Sequence, residues 1–276
     1  MEKFKGYYFK CSGGEHTLAL IPASHGNGAS LQLVTEKRAY NIKYPRIFFG
    51  EKPPSVKIGE STFGERKIIL NVNRDDVKAC GILYFGGLTP LKYDIMGPFR
   101  FISPILQCRH RVISMKHRVN GNVWINGENY LFRNDNGYIE GDEGCSFPKS
   151  YIWAQGFFTS GSVMLSVADV PVLGIAINGV IAVVYVNKKE YRLATYTGAK
   201  AVFLKDDLII IKQGDCILAV KRLSGSSKRL LAPKNGQMSR IIRESPRCKL
   251  YCKFMKKNDV IAEFVTEQGS FESEFG

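Results

Sequence analysis

The chain has 276 residues, with 39 Lys and Arg against 25 Asp and Glu, a formal net charge of +14. Hydrophobic residues make up 45% and charged residues 23%, which excludes a globally disordered or low-complexity chain. The length buries a sizeable core in one large all-β domain or two smaller ones. The 27 Gly, 17 Phe and 13 Tyr favour strands and turns over helices.

The first residues, Met1 to Tyr8, contain no apolar run and predict no secretory signal. Strands are then predicted, in chain order, over Lys5–Cys11, Thr17–Pro22, Ser30–Val34, Arg38–Ile42, Lys67–Val72, Lys78–Phe85 and Arg109–Val119. A short helix is a weak reading of Pro90–Pro104. Asn-Gly, which suits a type I′ hairpin turn, occurs six times. Two cases have strand-like flanks: Asn126-Gly127, between Val123–Ile125 and Glu128–Phe132, and Asn178-Gly179, between Val172–Ile177 and Val180–Val186. Both predict hairpins. Phe132–Pro148 is the densest turn and loop region, and two β-rich halves, 1–140 and 141–276, are expected to meet there.

Further strands are predicted over Tyr151–Phe158, Val163–Val167, Glu190–Thr195, Ala199–Leu204, Leu208–Lys212, Cys216–Leu223, Met238–Ile242, Lys249–Phe254 and Val260–Val265. Short strands 8–12 residues apart, with no long stripe of period 3.6, specify an all-β fold of two antiparallel barrels or sandwiches.

Seven scattered cysteines read as reduced thiols of a cytoplasmic protein. Cys248 and Cys252 have no second pair at zinc-finger spacing, so no metal is expected. His110 and His117, seven apart, would face opposite sides of a strand and are read as surface or hydrogen-bonded histidines. The basic residues of Arg109–Val119 alternate with apolar ones, as on the solvated face of a half-buried strand, and do not call for nucleic acid. A basic surface also suits peripheral contact with anionic lipid headgroups.

The densest chemistry lies in Tyr138–Gln155. Glu140, Asp142 and Glu143 crowd within four residues, bracketed by Gly and followed by the aromatic strand with Tyr151 and Trp153. Crowded carboxylates beside apolar walls raise one another's pKa. A neutral acid there could protonate an olefin, with an aromatic ring against the resulting cation. A solvated acidic turn is the plainer reading of the same spacing, and Tyr151 and Trp153 also read as plain core.

Here the chain resembles the tocopherol cyclase family, whose hallmark runs Tyr-x-Glu-x-(Asn/Asp)-Trp-Gly-x-x-Phe-Pro, then aromatic-x-Trp-x-Gln-Cys-Asn. Tyr138, Glu140, Asp142, Gly144, Phe147, Pro148, Tyr151, Trp153 and Gln155 fall on it, while Glu143 and Gly156-Phe157 depart from it. Phe4–Lys10 resembles the family's opening, and Leu230–Pro233 with Arg243, Ser245 and Cys248 its close. The resemblance implies two lipocalin-related (calycin) β parts. It implies acid-catalysed cyclisation of a prenylated, hydrophobic small molecule with no organic cofactor. On it, Glu140 and Asp142 would be catalytic, Glu140 donating the proton, and Tyr138, Tyr151, Trp153 and Gln155 would bind substrate. A lipocalin-like carrier without chemistry, and a partner-binding module, are the rival readings.

Overall fold

The computed structural model describes residues 2–26, 28–102, 106–172 and 175–275. Among these the fold is all-β, with two short 3-10 turns, Gly97–Ile102 and Thr195–Thr197, and no α-helix. Among the described residues no helix is long and apolar enough to cross a membrane. The strands build two nearly closed antiparallel barrels.

The first eleven strands are β1 (Phe4–Ser12), β2 (Thr17–His25), β3 (Gly28–Thr35), β4 (Ala39–Tyr44), β5 (Ile47–Phe49), β6 (Val56–Ile58), β7 (Ser61–Phe63), β8 (Lys67–Asn73), β9 (Lys78–Phe85), β10 (Cys108–Ile125) and β11 (Glu128–Gly144). They form one sheet in the order β4-β3-β2-β1-β11-β10-β9-β8-β7-β6-β5. The second sheet uses β12 (Tyr151–Phe158), β13 (Gly161–Val172), β14 (Ile175–Val186), β15 (Lys189–Ala194), β16 (Lys200–Lys205), β17 (Leu208–Gln213), β18 (Cys216–Gly225), β20 (Gln237–Lys256) and β21 (Asp259–Ser273). Its order is β15-β14-β13-β12-β21-β20-β18-β17-β16, and β19 (Lys228–Lys234) pairs with β20 off this path.

Both sheets follow one plan. A meander of four strands is followed by a second meander whose last strand pairs with the first strand of the sheet. The outermost strands, β4 and β5 in one sheet and β15 and β16 in the other, are neighbours in the chain, which draws the edges of each sheet together. The two sequences show no repeat, so the duplication is one of topology.

By contacts, one unit comprises Met1–Asp94, Cys108–Ser146 and Leu230–Ile241, and the other Ile95–Gln107, Phe147–Arg229 and Ile242–Gly276. Alternation of side chains gives each barrel its core. In the first, Phe9, Leu20, Leu31, Val119 and Ile139 point inward. In the second, Ile152, Leu165, Val184, Leu250 and Phe271 do so.

Asn126 and Gly127 have φ of 49° and 85°, and Ile125 pairs with Glu128, so this Asn-Gly makes the expected two-residue turn. Asn178-Gly179 does not. β13 and β14 pair from Gly161↔Val186 to Val172↔Ile175, which puts Asn178 and Gly179 in mid-strand opposite Asp169 and Ala168. Neither has a positive φ. Residues 173 and 174 lie outside the described residues. A turn at 178–179 would have left Val163, Leu165 and Val167 without the partners Val184, Ala182 and Val180 that they now meet in the core. The longer ladder satisfies more backbone groups and buries more apolar surface.

The region expected to be loops, Phe132–Pro148, is also different. Through Gly144 it is the C-terminal part of β11, paired on both sides with β1 and β10. Its glycines are not turn residues. A Cβ on Gly141 would lie 2.7 Å from the Tyr7 ring, and one on Gly137 would lie 2.2 Å from His117 Nε2. Small residues are required because neighbouring side chains cross the strand there. Gly141→Ala should therefore cost about 1–3 kcal/mol by overpacking. Chemical denaturation would show this as a lower midpoint at unchanged slope, and an unchanged midpoint would contradict it.

Candidate functional site

In the first unit, one register positions the polar groups. Tyr8 lies opposite Glu140 and Lys10 opposite Tyr138 across β1 and β11, while His110 on β10 lies opposite Asp142. Since Ile139 points into the core, Tyr138, Glu140 and Asp142 occupy the other face of the same strand. Glu140, Tyr138 and Lys10 are nevertheless buried. The acidic segment is thus a strand and not a solvated turn.

The Tyr138 hydroxyl donates to Glu140 Oε2 at 2.5 Å. His110 stands between the two carboxylates: Nδ1 is 2.9 Å from Asp142 Oδ1, and Nε2 is 3.4 Å from Glu140 Oε2. Burial alone would lower the His110 pKa, but the Asp142 and Glu140 carboxylates outweigh it and push the pKa up to about 9. The imidazole is therefore a cation at neutral pH. Burial, then the Glu140 charge, holds the Tyr138 hydroxyl well above its usual range. The Cys108 thiol contacts Asp142 Oδ1 at 3.6 Å and is also raised, by burial first and Asp142 second.

His117 is the opposite case. It lies over Gly137 on the core side, hydrogen-bonded to Ser114 Oγ at 3.0 Å and edge-on to Phe85, and burial lowers its pKa to about 3. The two histidines do face opposite sides. Arg109–Val119 is less solvated than its pattern implied: both histidines are mostly buried, and Arg109 bridges Asp94 at 3.0 Å and Glu143 at 3.2 Å. Lys5, Tyr7, Arg109, Arg111 and Glu143 line a small groove at this end of the barrel.

His110, Glu140 and Asp142 bring donor atoms within 4.8 Å of one another, a grouping that cysteine and histidine spacing alone did not disclose. The two carboxylates address different ring nitrogens, however. Each carboxylate at its own ring nitrogen suits a proton held between them, and the same three side chains are also the ones that could hold a metal ion.

Tyr151, Trp153 and Gln155 lie on β12 of the second unit, all buried. Ile152 and Ala154 belong to the apolar cluster inside the barrel, so these three share the opposite face of β12 and are buried there. Trp153 lies opposite Glu272, and the Tyr151 hydroxyl donates to the Glu272 carboxylate. Glu244 and Glu272 are directly opposed on β20 and β21, both buried. Sequence reasoning missed this pair, as it missed Lys10 and the role of His110. Each is a single polar residue in an ordinary strand, and only strand pairing assembles them.

No family model and no curated protein matches the sequence. Solved structures do match in fold. CghA in complex with Sch210972 is 7% identical with a TM-score of 0.62, covering 100% of this chain and 90% of that one. Kievitone hydratase from Nectria haematococca is 7% identical with a TM-score of 0.53, covering 98% and 88%. A protein described as an ATTH from Nitrosomonas europaea is 8% identical with a TM-score of 0.50, covering 99% and 92%.

The raised His110 predicts a pH dependence of stability. A folded pKa of about 9 against about 6.5 unfolded gives stabilisation that is fully present below pH 6.5 and lost as pH rises through 9. The contribution is roughly 3 kcal/mol at most. Melting temperature should fall between pH 6.5 and 9, and His110→Gln should flatten that fall. A variant with the wild-type slope would contradict the assignment.

Proposed function

We propose that this protein is an enzyme that converts a hydrophobic, olefin-bearing small molecule by acid catalysis without an organic cofactor, in the manner of the tocopherol cyclases that its central motif resembles. The observation that carries the reading is the buried Glu140–His110–Asp142 triad, which stores a proton away from solvent. The likeness in fold to a hydratase and to CghA bound to a small molecule supports it.

In the proposed reaction the His110 imidazolium supplies the proton. Asp142 fixes the ring through Nδ1, and Glu140 at the Nε2 end passes the proton to one carbon of the substrate double bond. The adjacent carbon becomes a cation, and a hydroxyl of the same substrate attacks it to form a C–O bond. The hydroxyl proton returns to Glu140 and from it to His110 Nε2, so the reaction is an isomerisation and the protein ends as it began. In this reading the proton rests on His110 and Glu140 is its exit, where the sequence alone suggested a neutral Glu140 as the donor. Tyr138 holds Glu140 in place.

Turnover of a prenylated hydroquinone in deuterated water tests this. The wild type should place one deuterium on the ring-forming side chain, and Glu140→Gln should lower kcat by about 100-fold or more while ligand binding survives. If wild type and variant bind the ligand equally and neither converts it, the protein is a carrier and the catalytic reading fails.

A further inference from the structure

We propose that the outward face of β8–β11 in the first unit docks on an anionic lipid surface. The strands pair so that Ile69 lies opposite Ile82, Ile82 opposite Asn122, and Asn122 opposite Leu131, making one row across four strands. Tyr84 lies to one side of this row and Trp124 to the other. All of them point away from the core, whose inward positions are Leu70, Leu83, Val123 and Phe132. Tyr84 is 54% exposed, Trp124 46%, Leu131 39% and Ile82 38%. Large apolar side chains so grouped on an otherwise alternating sheet mark a surface that meets something.

Its charge says what. Lys67, Lys78, Arg118 and Arg133 occupy outward positions around the apolar centre and are exposed. Over Lys67–Asn73, Lys78–Tyr84, Arg118–Trp124 and Asn129–Arg133, no outward position carries a carboxylate. The remaining polar positions are asparagines, such as Asn71, Asn120 and Asn129. Among the described residues none of the four cations is in an ion pair. Acids lie beyond both ends: Asp75 and Asp76 share their turn with Arg74, Glu65 shares its turn with Arg66, and Asp135 accepts from the Arg133 backbone N–H.

An aromatic and aliphatic centre within a cationic rim fits a membrane interface, where Trp and Tyr sit at headgroup level and Lys and Arg meet anionic lipid. A second copy of the chain fits poorly, because like charges would face one another. Single-stranded nucleic acid fits poorly too. Tyr84 and Trp124 are separated by about 13 Å along the strands, with aliphatic Ile82 between them, which gives bases no continuous stacking platform.

The test uses the full chain with vesicles of phosphatidylcholine, with and without phosphatidylserine. Sedimentation should show binding only to the anionic vesicles. Tyr84→Ala with Trp124→Ala, and separately Lys67→Glu with Arg133→Glu, should each weaken it about tenfold or more, with the circular dichroism of the wild type. The chain has two Trp, and the other, Trp153, is buried, so quenching by brominated anionic lipid reads Trp124 in the unmodified protein. Wild type that ignores anionic vesicles, equal binding to neutral ones, unquenched Trp124, or variants that bind as well as wild type would each overturn the proposal. So would a dimer broken by Trp124→Ala, or a single-stranded oligonucleotide whose binding the same changes abolish, since each gives the face another occupant.

Discussion

Everything in the first unit depends on the register of β11 between β1 and β10. One face of β11 supplies Ile139 to the barrel core, and the other supplies Tyr138, Glu140 and Asp142. A slip of one residue would exchange these faces, drive two carboxylates into the apolar interior and expel Ile139. The glycines fix the register sterically, since Gly137 is where His117 crosses and Gly141 is where Tyr7 crosses. The ion pairs fix it electrostatically, since His110 meets Asp142 and Glu140 together only in this pairing.

The same arrangement explains how a chain with a large basic excess holds a buried acidic cluster. Desolvating one carboxylate alone is costly, and desolvating two beside each other more so. A cation placed between them offsets the cost, and its proton becomes hard to remove, so the His110 pKa rises. Seven residues along the same strand, His117 has no carboxylate beside it and burial wins outright. The contrast separates the two effects within one strand: burial lowers both histidines, and only the neighbouring anions reverse it.

Much of the fold was legible because strand patterning is local. Alternation and turn residues marked β1 to β4 and β8 to β10, and Asn126-Gly127 made its hairpin. The three-residue strands β5 to β7 were not, because a single alternation gives no period to read. Asn178-Gly179 misled because a turn propensity of about 1 kcal/mol is small beside twelve residues of paired strand. Gly137 and Gly141 misled in the same sense, since glycine required by a crossing side chain looks in sequence like glycine required by a turn. The candidate site was half legible. Glu140 and Asp142 stood out as crowded acids and Tyr138 by the motif it shares with them, though their segment read as a turn; His110 is 30 residues before Glu140, and nothing in either segment states that they pair.

The central claim is that His110 carries a proton held by Asp142 and Glu140. Nitrogen-15 NMR of the ring nitrogens through a pH titration reads this directly, and with four histidines in the chain the signals are assignable by substitution. The account predicts that His110 remains an imidazolium at pH 7.5 and titrates near 9, while His117 stays neutral down to about pH 3. A His110 ring that is neutral at pH 7.5, with one nitrogen bare, would contradict it.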